Sequence, residues 1–171
     1  MNNNNMITNE KERKRVFYSL IVFGIIIVLI LQSYFQLNVL DFKSIRRYGK
    51  LIGQVAAYGF GFAISMYVVR RIAKLAILNK FKKKILMIAK VLREWHVPIS
   101  IVAFSIILLH GYIMLSRGIF MNLRYISGIL ALLILALQII SGIFRYKRVG
   151  IKFHKITGII FIIIMLIHIL A

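Results

Sequence analysis

The sequence contains no cysteine, one proline and four acidic residues. Without cysteine there is no disulfide, no thiolate-bound metal and no iron–sulfur cluster. The acids are Glu10, Glu12, Asp41 and Glu94, all at or beyond the ends of the long apolar runs. Carboxylate proton relays, Ser-His-Asp hydrolase sites and carboxylate-rich zinc or non-haem iron sites are therefore excluded from those runs.

Long apolar runs dominate what is present, since 61% of the residues are hydrophobic. A helix needs about 20 mostly apolar residues to cross a bilayer, and lipid cannot satisfy the polar groups of an irregular backbone. We therefore predict an all-α membrane bundle over residues 16–171, with about five transmembrane helices. The apolar runs cover residues 16–37, 51–69, 95–115, 125–144 and 153–171.

The 24 lysines and arginines give a formal charge of +20. They lie at the ends of the apolar runs instead of forming one basic surface, so no nucleic-acid partner is predicted. Clusters at 11–15, 70–93 and 145–155 fall on one side of the membrane and outnumber those on the other. The positive-inside rule then predicts a cytoplasmic N-terminus and an outer C-terminus in a multi-pass plasma-membrane protein with lipid as its partner.

Two basic segments lie outside the predicted spans. Residues 1–15, which begin with an asparagine-rich stretch, are predicted to be a disordered cytoplasmic tail. Residues 71–94 alternate apolar and basic positions at helical spacing, which indicates an amphipathic cytoplasmic segment on anionic lipid or a docking surface for an acidic electron donor. Proline is tolerated in the first turn of a helix, so Pro98 predicts that the third helix begins at about Trp95.

All four histidines lie in the third and fifth predicted helices, as His96 and His110, and His154 and His168. Fourteen residues are nearly four helical turns, so each pair shares one face and is separated by about 21 Å along the axis. The two helices run parallel, which sets His96 level with His154 and His110 level with His168. Two facing imidazoles are the ligands of six-coordinate haem iron. The alternative is that these histidines hydrogen-bond neighbouring helices.

The doubled H-x13-H spacing and the segment HKITGIIFIIIMLIH, with its His, basic residue, Gly and second His, resemble the ferric reductase-like transmembrane family. The resemblance covers mainly residues 95–171. It implies two bis-histidine haems b, the inner held by His96 and His154 and the outer by His110 and His168. Two departures stand out: the family usually has six helices, and many members continue into a flavin and nicotinamide domain that has no counterpart here.

Further residues are candidates for the same site. Phe161 lies seven residues from both His154 and His168 and is predicted either to separate the haems or to pack as an ordinary apolar residue. Arg93 and Lys155 on the inner side, and Arg124 on the outer, are candidates to bind haem propionates or are topology markers.

Small and polar residues within the spans have simpler explanations. Ser127-Gly128 repeats as Ser141-Gly142 after fourteen residues, a pattern typical of close helix packing or of room for a porphyrin. Gln54 and Gln138 are interpreted as residues that form hydrogen bonds between helices.

The resemblance implies an electron-transfer oxidoreductase subunit with ferric iron as a candidate acceptor. No flavin or nicotinamide site is predicted in this chain, so a cytoplasmic flavoprotein reductase or a membrane quinol is the expected electron donor. The sequence predicts no catalytic residue, and it does not indicate an oligomeric state. Two alternatives stay open: a protein that sequesters or senses haem, and a cofactor-free structural subunit of a transporter.

Overall fold

The computed structural model describes residues 10–35, 48–74, 81–116, 121–146 and 149–171. This part of the chain contains five long helices. They are α1 (Glu10–Tyr34), α2 (Gly49–Ile72), α3 (Lys82–Leu115), α4 (Leu123–Tyr146) and α5 (Ile151–Leu170).

Each of the five helices is long and apolar enough to cross a membrane, as the sequence predicts. Only 6% to 22% of the apolar stretch in each helix is buried within the chain. Such a surface of exposed Ile, Leu, Val and Phe is stable only in an apolar solvent. The chain is therefore an all-helical, multi-pass membrane protein, and no strand occurs among the residues that the structure describes.

Helix α1 begins earlier than the sequence predicts. Residues 10–15, expected in the basic tail, form its first turns, while residues 1–9 lie outside the described part of the chain. Glu10 pairs with Lys14 one turn later at 2.9 Å, and acidic side chains in a first turn interact favourably with the helix dipole. The ion pair and the acidic first turn therefore extend α1 beyond its apolar run.

Helix α3 corrects the predicted start at Trp95, because it runs unbroken from Lys82 through Pro98 to Leu115. The predicted amphipathic segment 71–94 therefore consists of the end of α2, residues 75–80 outside the described ranges, and the first turns of α3. Pro98 removes the hydrogen bond that Glu94 would receive, but packed membrane helices tolerate such a loss. Pro98 is buried against the rest of the chain.

The described chain divides into two compact units. The N-terminal unit holds α1, α2 and α3 up to Ile113, and the C-terminal unit holds Met114 onward, including α4 and α5. Side-chain contacts among the described residues attach α1 to α3. They include the Arg15–Glu94 ion pair at 3.3 Å, the Phe23–Phe104 ring stack at 6.2 Å and the Tyr112 hydroxyl donating to Ser33 at 3.2 Å.

Arg15 also lies 4.5 Å from the centre of the Trp95 ring, so one guanidinium binds both a carboxylate and an aromatic face on α3. Helices α2 and α3 also lie close together at Gly59. A Cβ placed there would lie 2.9 Å from the Cβ of Ala103, which is almost fully buried. This glycine is therefore required by the helix spacing.

In the C-terminal unit α4 and α5 form an antiparallel hairpin. The turn before α5 depends on Gly150, whose φ of 70° lies in the left-handed region that favours glycine. The Gly150 carbonyl then accepts the first backbone hydrogen bond of α5, from the amide of His154 at 2.9 Å. The turn thus fixes the position of His154 in the first turn of α5.

Gly59→Ala should destabilise the protein by about 1–3 kcal/mol, because the added methyl meets a Cβ that is fixed to the backbone of α3 and the helices must separate. Gly61→Ala is the matched control, since a Cβ at Gly61 meets nothing within 4 Å. It should leave stability unchanged or raise it slightly through helix propensity. Thermal unfolding in one detergent compares them, and equal midpoints would contradict the close approach at Gly59.

Candidate histidine site

In the N-terminal unit both histidines of α3 donate from Nδ1 to backbone carbonyls of α2. His110 donates to Gly49 O at 2.8 Å, and His96 donates to Ala63 O at 3.0 Å. A carbonyl oxygen only accepts, so the proton must lie on Nδ1 of each ring. Gly49 and Ala63 are themselves fourteen residues apart, which is the spacing of the histidines they bind.

The C-terminal unit repeats the contact that His110 makes. His168, in the last turn of α5, donates from Nδ1 to Arg124 O at 2.8 Å, in the first turn of α4. This matches His110 against Gly49, the first residue of α2. In both hairpins, the first formed by α2 and α3 and the second by α4 and α5, a histidine near the end of one helix therefore binds a carbonyl at the start of the preceding helix.

His154 lies in a polar cluster built from α4 and α5. Its Nδ1 is 2.9 Å from Ser141 Oγ, and its Nε2 is 3.3 Å from Gln138 Nε2. Ser141 donates its own proton to Gln138 O at 2.8 Å, so its oxygen accepts from His154 Nδ1. Thr157 donates to Gln138 Oε1, which turns the amide N–H of Gln138 toward His154 Nε2.

This cluster is a variation on the contact that His96 makes. Gln138 lies fourteen residues after Arg124, just as Ala63 lies fourteen residues after Gly49. The carbonyl of Gln138 thus occupies the place that Ala63 O has in the first hairpin, and the Ser141 hydroxyl bridges it to the imidazole. Ser141 and Thr157 are both buried, whereas Gln138 and His154 are half-buried.

Glycines form the surfaces on which three of the rings lie. A Cβ at Gly53 would stand 2.8 Å from Cε1 of His110, and one at Gly128 would stand 2.8 Å from Cε1 of His168. Each of these glycines follows the hydrogen-bonding carbonyl by four residues, one turn along the same face. Gly142 lies in ordinary contact with His154, at 3.4 Å. The Ser-Gly repeat of α4 thus accommodates imidazoles.

All four rings share one tautomer. With the proton on Nδ1, the lone pair of a neutral imidazole lies on Nε2, the nitrogen that a metal-binding histidine uses when a carbonyl or hydroxyl orients its other nitrogen. The described residues contain no group of three histidine or acidic side chains. The described residues therefore do not provide the three or four protein ligands of a tetrahedral zinc site.

The remaining predicted residues have these positions. Phe161 is buried on α5, and its counterpart midway along α3 is the buried Ala103. Arg93, Lys155 and the side chain of Arg124 are exposed, and their binding of propionates stays a prediction. The predicted pairing of His96 with His154, and of His110 with His168, also stays a prediction.

An open apolar groove of about 440 Å³ lies in the N-terminal unit between α1, α2 and α3. The residues that line it include Val22, Val55, Val102, Arg15 and Trp95. None of the four histidines lines it, so it is separate from the candidate site.

Sequence reasoning missed the oxygens that hold the rings. Gly49 and Ala63 act through backbone atoms, which no residue type reveals. Gln138 was interpreted only as a helix contact, and Ser141 only as part of a small-residue pattern. A signal did exist, because the intervals from 49 to 63, 124 to 138 and 128 to 142 all equal the histidine spacing.

Comparison of the chain with protein-family models, with curated proteins and with solved structures returned no match.

The shared tautomer can be measured directly. In protein labelled with ¹⁵N-histidine, each neutral imidazole should show a protonated Nδ1 and an unprotonated Nε2, because the carbonyl or hydroxyl partner requires an N–H at Nδ1. Single His→Gln variants assign the four signals. An unprotonated Nδ1 on His96, His110 or His168 would contradict the hydrogen bond assigned to that ring.

Gly53→Ala should displace the ring of His110, and Gly128→Ala the ring of His168, because each added methyl falls within 3 Å of ring atoms. A ring is the mobile end of its side chain, so stability should change by less than about 1 kcal/mol while the ¹⁵N signal of that histidine shifts. Gly61→Ala should move neither signal, since it adds a methyl in open space. Unshifted signals in both glycine variants would contradict the packing of the rings.

Proposed function

We propose that this chain is a ferric reductase-like di-haem b-type cytochrome that carries electrons across the plasma membrane. His96 with His154 binds the inner haem, and His110 with His168 binds the outer one. The N-terminus is cytoplasmic and the C-terminus is outside, following the excess of basic residues at 11–15, 70–93 and 145–155.

The observation that carries this proposal is the common orientation of the four imidazoles. Each ring is fixed through Nδ1 by an oxygen of a neighbouring helix. A purely structural histidine has no need to repeat this arrangement at two depths in two separate hairpins. Ligands of a metal do need it, because the bond at Nδ1 fixes the tautomer and orients Nε2.

The residues present fit the haem that the resemblance implies. Bis-histidine haem iron supplies one-electron transfer, with a potential set by its ligands and their hydrogen bonds. The chain supplies oriented imidazoles, backbone acceptors that raise their basicity, and glycines against the rings. Exposed Arg93, Lys155 and Arg124 supply positive charge for propionates, and Phe161 an apolar side chain halfway between the levels of His154 and His168.

In the proposed orientation the level of His96 and His154 lies on the cytoplasmic side, and the level of His110 and His168 lies on the outer side. A cytoplasmic flavoprotein reductase or a membrane quinol would donate electrons to the haem held at the first level. An external acceptor such as ferric iron would take them from the haem held at the second. Fourteen residues of helix separate the levels by about 21 Å along the axis.

A reduced-minus-oxidised absorption spectrum of the purified protein, with a haem-to-protein ratio, tests the proposal. We expect two low-spin b-type haems per chain. His110→Ala and His154→Ala should each leave one haem, because each removes one ligand of a different pair. Reduced protein should then be reoxidised by a ferric chelate.

Loss of both haems in His110→Ala alone would contradict the assigned pairs. A folded protein that stays colourless when haem is supplied during expression would overturn the cytochrome proposal. Two haems that no ferric chelate reoxidises would favour haem sequestration or sensing over electron transfer.

A further inference from the structure

The cluster around His154 places an amide on the nitrogen that the proposed function needs. Gln138 Nε2 lies 3.3 Å from His154 Nε2. With the proton of the imidazole on Nδ1 toward Ser141, Nε2 carries the lone pair, and an amide N–H aimed at it forms a hydrogen bond. Iron and the Gln138 amide therefore compete for the same lone pair.

The amide is itself held in place. Thr157 donates to Gln138 Oε1, and Thr157 is buried. With the imidazole proton on Nδ1, turning the amide by half a turn would set Oε1 against the His154 lone pair, so that two acceptors would face each other. In the orientation that the structure shows, each of the four side chains has a hydrogen-bond partner, and an unsatisfied polar group within a membrane is costly.

We propose that Gln138 is a gate on His154: its amide holds the ligating nitrogen in the haem-free chain, so the His96/His154 pair takes up haem after the His110/His168 pair and more weakly. This inference rests on the proposed function. The gate opens when the amide turns away from Nε2, a side-chain rotation that needs no movement of α4 or α5. Ser141 keeps the ring oriented throughout.

The gate predicts a stronger inner site when the amide is removed. In the full-length chain, His168→Ala eliminates the outer pair, so that haemin titration reads only the inner site. Adding Gln138→Leu should tighten haemin binding about fivefold, the equivalent of one neutral hydrogen bond that no longer has to be broken. Gln54→Leu, the matched change at an exposed glutamine of α2, should leave the inner affinity unchanged.

A second measurement separates a gate from a merely structural role. In the haem-free chain Gln138→Leu should lower the unfolding midpoint by about 3 °C, because the hydrogen bonds of the cluster are lost. A purely structural glutamine would weaken the haem-free chain and haemin binding alike. A gate weakens the first and strengthens the second.

The outcomes are distinct. Unchanged or weaker haemin binding in Gln138→Leu overturns the gate while the cytochrome proposal stands, provided that His168→Ala alone binds haemin. An inner site that fills before the outer one in the unsubstituted chain also overturns the gate. A chain that binds no haemin at either level overturns the proposed function and the gate together.

Discussion

The structure depends on one interaction, the hydrogen bond from an imidazole Nδ1–H to an oxygen of the preceding helix. In the bilayer such a bond has no water to compete with it, and a donor without an acceptor is expensive. Two such bonds per hairpin define how α3 lies along α2 and how α5 lies along α4. The same bonds set the tautomer, so helix register and ligand chemistry have one physical origin.

Much of the arrangement could be predicted from the sequence because it follows from periodicity. The five spans follow from apolar length, and the shared face of His96 and His110 follows from 3.6 residues per turn. The oxygens that hold the rings could not be predicted in the same way, because every helical residue offers a carbonyl. Only the packed hairpin selects Gly49 and Ala63 among them.

Rules that hold for helices in water explain the errors at the helix ends. Pro98 predicts a helix start because a missing backbone donor is costly in an isolated helix, yet α3 continues through it where it is buried. The basic residues before the first apolar run predict a tail, yet the Glu10–Lys14 pair and the acidic first turn extend α1 through them. In both cases a local contact outside the apolar pattern decides where the helix begins.

The unbroken α3 has a mechanical consequence. Its 34 residues span about 51 Å, whereas the hydrocarbon core is about 30 Å thick, so several turns extend beyond the bilayer. Helix α3 begins with Lys82, Lys83 and Lys84, and His96 lies about 18–21 Å further along the same helix. A partner that bound these lysines would therefore contact the helix that carries both His96 and His110. If that partner tilted α3, both histidines would move together.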